Sequence, residues 1–198
     1  GSQSGSLVLT ADRGRGKSAA LGLAVASLLQ NSLNNLKHCP TKILITSPSP
    51  ASTSTVFKHV GLQLESSGVT FTETGNMVRV TESEFEFIAP DELSLTLPNA
   101  DVVFIDEAAA IPQQILSPVI RHYKKLVFAT TVHGYEGTGR GFEYKLKPLL
   151  RACFTNYKEL QLELPIRFAD NDQLEPLINR LLGLDVELPE VKQFSSIS

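Results

Sequence analysis

The feature that most constrains this sequence is a short glycine-rich segment that joins an apolar run to a helical pattern. Leu7–Thr10 is apolar enough for a buried strand, and Gly14-Arg15-Gly16-Lys17-Ser18 follows it closely. From Lys17 to Leu29 the chain is rich in Ala and Leu, which favours a helix. At a strand–loop–helix junction, backbone N–H groups and the helix N-terminus bind phosphate. The segment therefore predicts a P-loop, in which Lys17 reaches the β- and γ-phosphates of a nucleotide and Ser18 binds Mg²⁺.

One position departs from the general P-loop pattern. That pattern, G-x-x-x-x-G-K-[ST], places Gly six residues before the Lys, where this chain has Ala11. The alternative interpretation is a basic, flexible turn that begins a helix. We favour the phosphate site because a strand precedes the turn and a helix follows it. The residues expected to line the phosphates are Ala11, Asp12, Arg13, Gly14, Arg15, Gly16, Lys17, Ser18 and Ala19.

Apolar runs and helical spacing alternate along the rest of the chain. Alternating apolar residues between Gly68 and Ala89 indicate a hairpin followed by another strand. Such alternation of strands and helices is typical of an α/β protein, with a mostly parallel central sheet and helices on both faces. The further predicted strands are Lys42–Thr46, Val102–Ile105, Leu126–Ala129 and Leu160–Leu164, and the predicted helices are Ser54–Leu64, Pro112–Tyr123, Phe142–Cys153 and Asp172–Leu182.

Length, charge and hydropathy exclude several classes of protein. A chain of 198 residues is long enough for one well-buried domain. The net charge of -3 excludes a global basic field, so any contact with nucleic acid must be local. No apolar run approaches the ~18 residues of a membrane span, and the first residues lack a secretion signal. We expect a cytoplasmic domain at 7–164, a lead at 1–6 that is a cloning remnant or disordered, and an extension at 165–198 toward a second lobe of a longer protein.

Two carboxylates follow a second apolar run. Val102–Ile105 is typical of a central strand, and Asp106 and Glu107 come directly after it. Ligands of open α/β sheets bind at the carboxyl ends of the strands. Asp106 would hold Mg²⁺ there, and Glu107 would orient and deprotonate an attacking water. The alternative is a strand that simply ends in polar residues, but a nucleotide-hydrolysing enzyme accounts for both this pair and the Lys17 segment.

The segment from Thr130 to Gly141 follows the next strand and contains four glycines. A loop of this composition is costly to order unless it contacts something. Thr130 or Thr131 would sense the γ-phosphate, and Arg140 would meet phosphate or nucleic acid. The alternative is a mobile surface loop.

Two more polar segments follow predicted strands. Arg167 comes after the last strand and would act as an arginine finger on the γ-phosphate, although an exposed surface arginine fits equally well. The hydroxyl-rich segment Ser47–Thr53 suits a nucleic-acid backbone, although most Ser/Pro loops are only connections.

Four segments together resemble one known family. They are Thr10–Ser18, Ile88–Asp91, Val103–Pro112 and Gly134–Phe142, and their strings Asp-Glu-Ala-Ala-Ala-Ile-Pro and Gly-Tyr-Glu-Gly-Thr-Gly-Arg are long and specific. On these residues the chain resembles the helicase-like ATPase module of the tRNA(Met) cytidine acetyltransferases, from Leu7 to about Leu184. In that family Ala takes the first glycine position of the phosphate loop, which accounts for Ala11. The Gly141-Phe142 ending is more similar to the bacterial branch than to the eukaryotic one.

The resemblance implies a RecA-like P-loop NTPase fold and a part in the N4-acetylation of the wobble cytidine of elongator tRNA(Met). The family uses hydrolysis of ATP or GTP with Mg²⁺ to remodel the tRNA. It uses acetyl-CoA in a separate acetyltransferase domain, to which no part of this chain is similar.

Similarity to superfamily 1 helicases implies roles for individual residues. Lys17 and Ser18 match the phosphate-loop pair, and Asp106 and Glu107 match the Mg²⁺ and water residues. The Thr131–Arg140 segment resembles the motif that couples nucleotide to the nucleic-acid strand, and Arg167 resembles the arginine finger. Two other interpretations stay open: a nucleotide-gated RNA- or protein-binding module with little hydrolysis, and a generic superfamily 1 helicase-like ATPase.

Overall fold

The computed structural model describes residues 4–12, 16–34, 40–131 and 138–162, together with Ile178 and Arg180. In this part of the chain eight strands form one sheet in the order β3-β4-β5-β2-β6-β7-β1-β8. In this sheet order, every neighbouring pair from β5 onward is parallel. At the other edge β3 and β4 form a hairpin, and β4 pairs with β5 in the antiparallel direction as well. The strands are β1 Gly5–Ala11, β2 Lys42–Thr46, β3 Thr72–Thr74, β4 Met77–Val80, β5 Ser83–Phe87, β6 Val102–Ile105, β7 Lys125–Thr131 and β8 Asn156–Leu162.

Helices connect the parallel strands. They are α1 Lys17–Asn31, α2 Pro50–Ser66, α3 Pro90–Thr96, α4 Gln113–His122, α5 Thr138–Gly141 and α6 Lys147–Cys153. A π-helical turn at Phe142–Leu146 joins α5 to α6, and 3₁₀ turns at Ser32–Asn34 and Ala108–Ala110 follow α1 and β6. Within the described residues, no helix is both long and apolar enough to cross a membrane.

The sheet has an apolar cluster on each face. On one face α1 and α2 pack against the sheet, and Ile178 joins them. On the other face α4 and α6 pack against it, with Leu93 of α3. Strand β6 contributes Val102 and Phe104 to the first cluster and Val103 and Ile105 to the second. This two-sided burial explains why its sequence is continuously apolar, and it confirms the α/β architecture with helices on both faces.

The structure moves the start of the last predicted strand and adds two short helices: α3, and α5 at Thr138–Gly141, which lies within the segment predicted as a loop. Strand β1 begins at Gly5, within the lead predicted at 1–6. Strand β2 and strand β6 begin and end at the predicted residues. The last strand, predicted at Leu160–Leu164, instead runs over Asn156–Leu162, because its pairing with the whole of β1 determines where it starts. The sequence pattern does not predict helix α3, since this helix is short and buries only Leu93. The predicted helix at Asp172–Leu182 lies outside the described residues apart from Ile178 and Arg180.

Helices α1 and α2 approach each other most closely at Gly22. A Cβ atom at position 22 would lie 2.5 Å from the His59 Cβ atom and 2.9 Å from the Val56 carbonyl oxygen. Real Cβ atoms do not approach other atoms so closely, so only glycine fits between the two helices here. This contact holds α2 against the first turns of α1.

We expect Gly22→Ala to lower the free energy of unfolding by about 1–3 kcal/mol, because the added methyl group overpacks the α1–α2 contact. This is the reverse of the helix propensities, by which Ala is favoured over Gly by ~1 kcal/mol. Gly61→Ala in α2 is the matched control, since the nearest atom to a Cβ there is Phe71 Cζ at 3.8 Å. Urea unfolding of both variants measures the difference, and equal effects at the two glycines would contradict the close approach.

Candidate functional site

Several of the predicted site residues converge at the carboxyl ends of three strands. The parallel register brings the ends of β1 and β7 together, with Ala11 beside Thr131, and β6 ends next to β7. Asp106 and Glu107 follow β6 directly, and α1 begins after β1 at Lys17. Because these strands are parallel, side chains from distant segments reach the same edge of the sheet.

The start of α1 places Lys17 at the centre of this edge. Gly16 caps the helix in the left-handed conformation, with φ of 81°, which favours glycine. Its carbonyl oxygen accepts a hydrogen bond from Ala20 N at 2.9 Å. The Lys17 side chain is only 8% exposed. Its Nζ donates to Thr131 Oγ1 at 3.1 Å and lies 3.6 Å from Glu107 Oε1.

Asp106 and Glu107 occupy different environments. Asp106 is buried, and this burial together with the charge of Glu107 raises its pKa to about 6. Hydrogen bonds from Glu107 N, at 2.9 Å, and from the Ser18 hydroxyl stabilise the ionised carboxylate and oppose the rise. The Glu107 side chain is 43% exposed, and its backbone is left-handed, with φ of 50°. Strain of this kind in a residue with a side chain is concentrated at functional sites.

Glu107 and Thr131 complete a three-residue contact with Lys17. Thr131 Oγ1 donates to Glu107 Oε2 at 3.4 Å, while it accepts the hydrogen bond from Lys17. Neighbouring Thr130 is buried on the other side of β7, and its hydroxyl has no partner among the described residues. Of the two threonines considered from the sequence, Thr131 is therefore the one at the site.

Lys17, Glu107 and Thr131 line a cavity of about 410 Å³. Its walls are Gly16, Lys17, Ser18, Ala19, Thr55, His59, Glu107 and Thr131. Thr55 and His59 belong to α2 and carried no motif in the sequence. The cavity therefore combines the predicted phosphate-binding turn, the carboxylate after β6 and one face of α2.

Other predicted residues lie away from this cavity or outside the described part of the chain. Arg140 is exposed on α5, which packs against the Ala108–Ala110 turn, and it does not line the cavity. Only the first part of Ser47–Thr53 is a connection, because α2 begins at Pro50; the hydroxyls of Ser47 and Thr53 donate to the carbonyl oxygens of Ser49 and Pro50. Arg13, Gly14, Arg15, Arg167 and the segment 132–137 lie outside the described residues.

The donor atoms at the site suit a hard cation. Asp106 and Ser18 present oxygen ligands, which Mg²⁺ prefers, and Mg²⁺ commonly binds through one carboxylate together with phosphates and waters. Within the described part of the chain, no group of three His, Cys, Asp or Glu side chains is placed to hold a metal ion. An ion held by Asp106 would therefore need further oxygen ligands, which a nucleotide and water would supply.

We expect the buried Asp106 carboxyl to make stability depend on pH in the protein free of metal and nucleotide. Its folded pKa of about 6 exceeds the ordinary value of 3.8, so its stabilising contribution is full below pH ~4 and is lost as pH rises through 6. The difference corresponds to at most about 3 kcal/mol. The free energy of unfolding that Asp106→Asn gains over the original chain should therefore be larger at pH 7.5 than at pH 4, as measured by urea titrations. A gain that is the same at both pH values would contradict the raised pKa.

Comparison with known proteins places the chain in a family. The helicase-domain model of the RNA cytidine acetyltransferases NAT10/TcmA matches residues 8–185. The chain belongs to this family. The tRNA(Met) cytidine acetyltransferase TmcA of Vibrio cholerae is 42% identical over 185 residues, which cover 93% of this chain and 25% of that protein. The TmcA of Nitrosococcus halophilus is 42% identical over 179 residues, covering 90% of this chain and 22% of that protein.

The match confirms the resemblance found in the motifs, and both relatives are bacterial. The chain spans about a quarter of the length of these relatives. Among solved structures, the large terminase of a thermophilic bacteriophage, in complex with ADP, superposes with a TM-score of 0.58 at 13% identity. The superposition covers 89% of this chain and 45% of the terminase chain. This likeness, together with the mostly parallel sheet, confirms the RecA-like α/β fold of a helicase domain.

Proposed function

We propose that this domain binds ATP or GTP with Mg²⁺ in the cavity and hydrolyses it. The observation that carries the proposal is the convergence of Lys17, Glu107 and Thr131, from three separate segments, on one cavity at the carboxyl edge of the sheet. A buried lysine beside a helix N-terminus is suited to binding an anion. The adjoining carboxylates are suited to a cation and to a water molecule.

Each residue has a distinct chemical role in this proposal. Lys17 binds the β- and γ-phosphate oxygens, and the backbone N–H groups at the start of α1 bind the phosphates beside it. Asp106 and Ser18 would hold Mg²⁺, which, when bound, neutralises charge on the phosphates. Glu107 orients the attacking water and accepts its proton. Thr131 contacts the γ-phosphate and so links its presence to the segment after β7.

Further residues, most of them outside the cavity, complete the proposed site. Ala11, Asp12, Ala19 and Gly16 would form the described part of the phosphate loop, together with Arg13, Gly14 and Arg15. Arg167 would contact the γ-phosphate as an arginine finger, and Arg140 would couple the nucleotide to RNA. The exposure of Arg140 on α5 supports a role toward a partner.

The wider function follows from the relatives. Those proteins are tRNA(Met) cytidine acetyltransferases, and the helicase domain is one part of the family's proteins. We propose that nucleotide hydrolysis here remodels elongator tRNA(Met) in the cytoplasm for N4-acetylation of its wobble cytidine. Acetyl-CoA would bind in a separate acetyltransferase domain.

Phosphate release from ATP and from GTP, measured with and without Mg²⁺ and tRNA(Met), tests the proposal. Mg²⁺-dependent release that tRNA(Met) stimulates is the expected result. Tight nucleotide binding with no release under any of these conditions would instead favour a nucleotide-gated binding module. Absence of both binding and release would contradict the assignment of the cavity.

A further inference from the structure

Helix α2 contributes two polar side chains to the cavity that neither the P-loop nor the carboxylate motif explains. Thr55 and His59 are four residues apart, so they lie on the same face of the helix, one turn from each other. Both line the cavity together with Lys17, Ser18 and Glu107. His59 is half-buried and Thr55 is exposed, so both can reach a ligand.

The position of these two side chains is fixed by packing. On the adjacent face of α2, Val56, Val60 and Leu64 are fully buried in the core. At Gly22 the α1 backbone comes so close to α2 that a Cβ there would lie 2.5 Å from His59 Cβ. The side chain of His59 therefore starts from a rigid helix contact, a short distance along α1 from Ser18. A binding group on such an element is held in place before the ligand arrives.

The sheet order shows which end of a nucleotide α2 would face. Strand β2 lies next to β6 in the sheet, and α2 follows β2 directly. Helix α2 therefore approaches the cavity from the side of Glu107, which follows β6. That is the side of the terminal phosphate and the attacking water, and not the side of the base.

A phosphate in this cavity can accept hydrogen bonds from further donors besides Lys17. Lys17 is the only Lys or Arg among the described residues that line the cavity, and it faces Glu107 as well. A γ-phosphate also has more oxygen lone pairs than Lys17, Mg²⁺ and the proposed arginine finger occupy, so neutral hydrogen-bond donors can bind it as well. The imidazole N–H of His59 and the hydroxyl of Thr55 are hydrogen-bond donors that phosphate oxygens accept.

We propose that Thr55 and His59 form a γ-phosphate subsite, through which the domain binds nucleoside triphosphate in preference to diphosphate. The proposal rests on the proposed nucleotide site and adds a specificity role to a face of α2. Neither residue takes part in proton transfer here; each contacts the terminal phosphate as a donor.

The test compares the affinities of a non-hydrolysable ATP analogue and of ADP, both with Mg²⁺, by calorimetry. His59→Leu removes the donor at similar volume, and His59→Gln keeps an N–H donor. We expect His59→Leu to weaken binding of the analogue about 10-fold, in line with a hydrogen bond to a charged group, and to change ADP binding less than about twofold. His59→Gln should restore part of the loss, and Thr55→Val should act in the same direction as His59→Leu.

Lys58→Ala is the matched control, because Lys58 is exposed on α2 beside His59 but does not line the cavity. Thermal unfolding of every variant confirms that each one is folded. If His59→Leu and Thr55→Val both leave the ratio of the two affinities within about twofold, the subsite is wrong although the nucleotide site stands. If the original chain binds neither ligand, the proposed function itself fails.

Discussion

Replacing Lys17 by Ala is expected to weaken binding of Mg²⁺–ATP and Mg²⁺–GTP by about 10²- to 10³-fold, beyond the range of ordinary calorimetry. Removing one partner of a buried, charge-assisted contact costs about 2–5 kcal/mol, because the other partner loses its counter-charge. Lys17 is 8% exposed and is the only Lys or Arg among the described cavity residues. The phosphates of a bound nucleotide would therefore lose their main positive partner.

The same replacement also removes contacts between the protein's own side chains. Without Lys17, Glu107 loses the cation 3.6 Å away, and Thr131 loses the donor to its hydroxyl. Since Glu107 is 43% exposed, water replaces the lost contact, and the fold should persist. Circular dichroism and thermal unfolding check this, and Lys58→Ala is the control for loss of a positive charge elsewhere. Unchanged nucleotide affinity in a folded Lys17→Ala protein would contradict the phosphate-site assignment.

The central strands could be predicted from sequence because burial on both faces requires an unbroken apolar run. Val102–Ile105 is such a run, and the structure has β6 at those residues. Strand β8 lies at an edge of the sheet and exposes Lys158 and Glu159, so its apolar residues do not mark where it starts. The start of β8 is instead determined by its pairing with β1, over seven residues of each strand, and such pairing is a tertiary property.

The site could be predicted in part for a related reason. Lys17 follows a recognisable strand after a short loop, and Asp106 and Glu107 come directly after another. The rule that ligands bind at the carboxyl ends of strands brings all three to one edge of the sheet. The choice between Thr130 and Thr131 could not be made from composition, since both precede the glycine-rich segment. It depends on which of the two faces Lys17, and the alternation of side chains along β7 places Thr131 there and Thr130 in the interior.

Thr55 and His59 could not be predicted because their place depends on helix packing. Their own segment has only ordinary helical spacing, with Val56 and Val60 toward the core. What brings them to the cavity is the close contact of α2 with Gly22 of α1, 33 residues before Thr55 in the sequence. A glycine inside a helical pattern was the one available signal, and it indicates a close approach without naming the partner.

Glu107→Gln is expected to lower the rate of nucleotide hydrolysis by about 10²- to 10⁴-fold, the range for losing a general base. The amide keeps the size of the side chain and can still hold a water molecule, but it does not accept that water's proton. The left-handed backbone at position 107 is kept, since Gln and Glu have the same backbone preferences. The variant therefore isolates proton transfer from shape.

Nucleotide binding should change little in the same variant. The Glu107 carboxylate lies 3.6 Å from Lys17 Nζ and so competes with the phosphates for that charge. A neutral amide at this position would not compete, so affinity for the non-hydrolysable analogue should stay within a few-fold or become slightly tighter. A large fall in rate with unchanged affinity separates a hydrolysing enzyme from a module that only binds.

The measurement is single-turnover hydrolysis by this domain with and without tRNA(Met), alongside calorimetry with the non-hydrolysable analogue. Glu65→Gln is the matched control, because Glu65 is exposed in the last turn of α2, away from the cavity residues. It removes one carboxylate of the same kind and should leave both rate and affinity unchanged. Hydrolysis by Glu107→Gln at the rate of the original chain would show that Glu107 is not the base, and its carboxylate beside Lys17 would then serve binding alone.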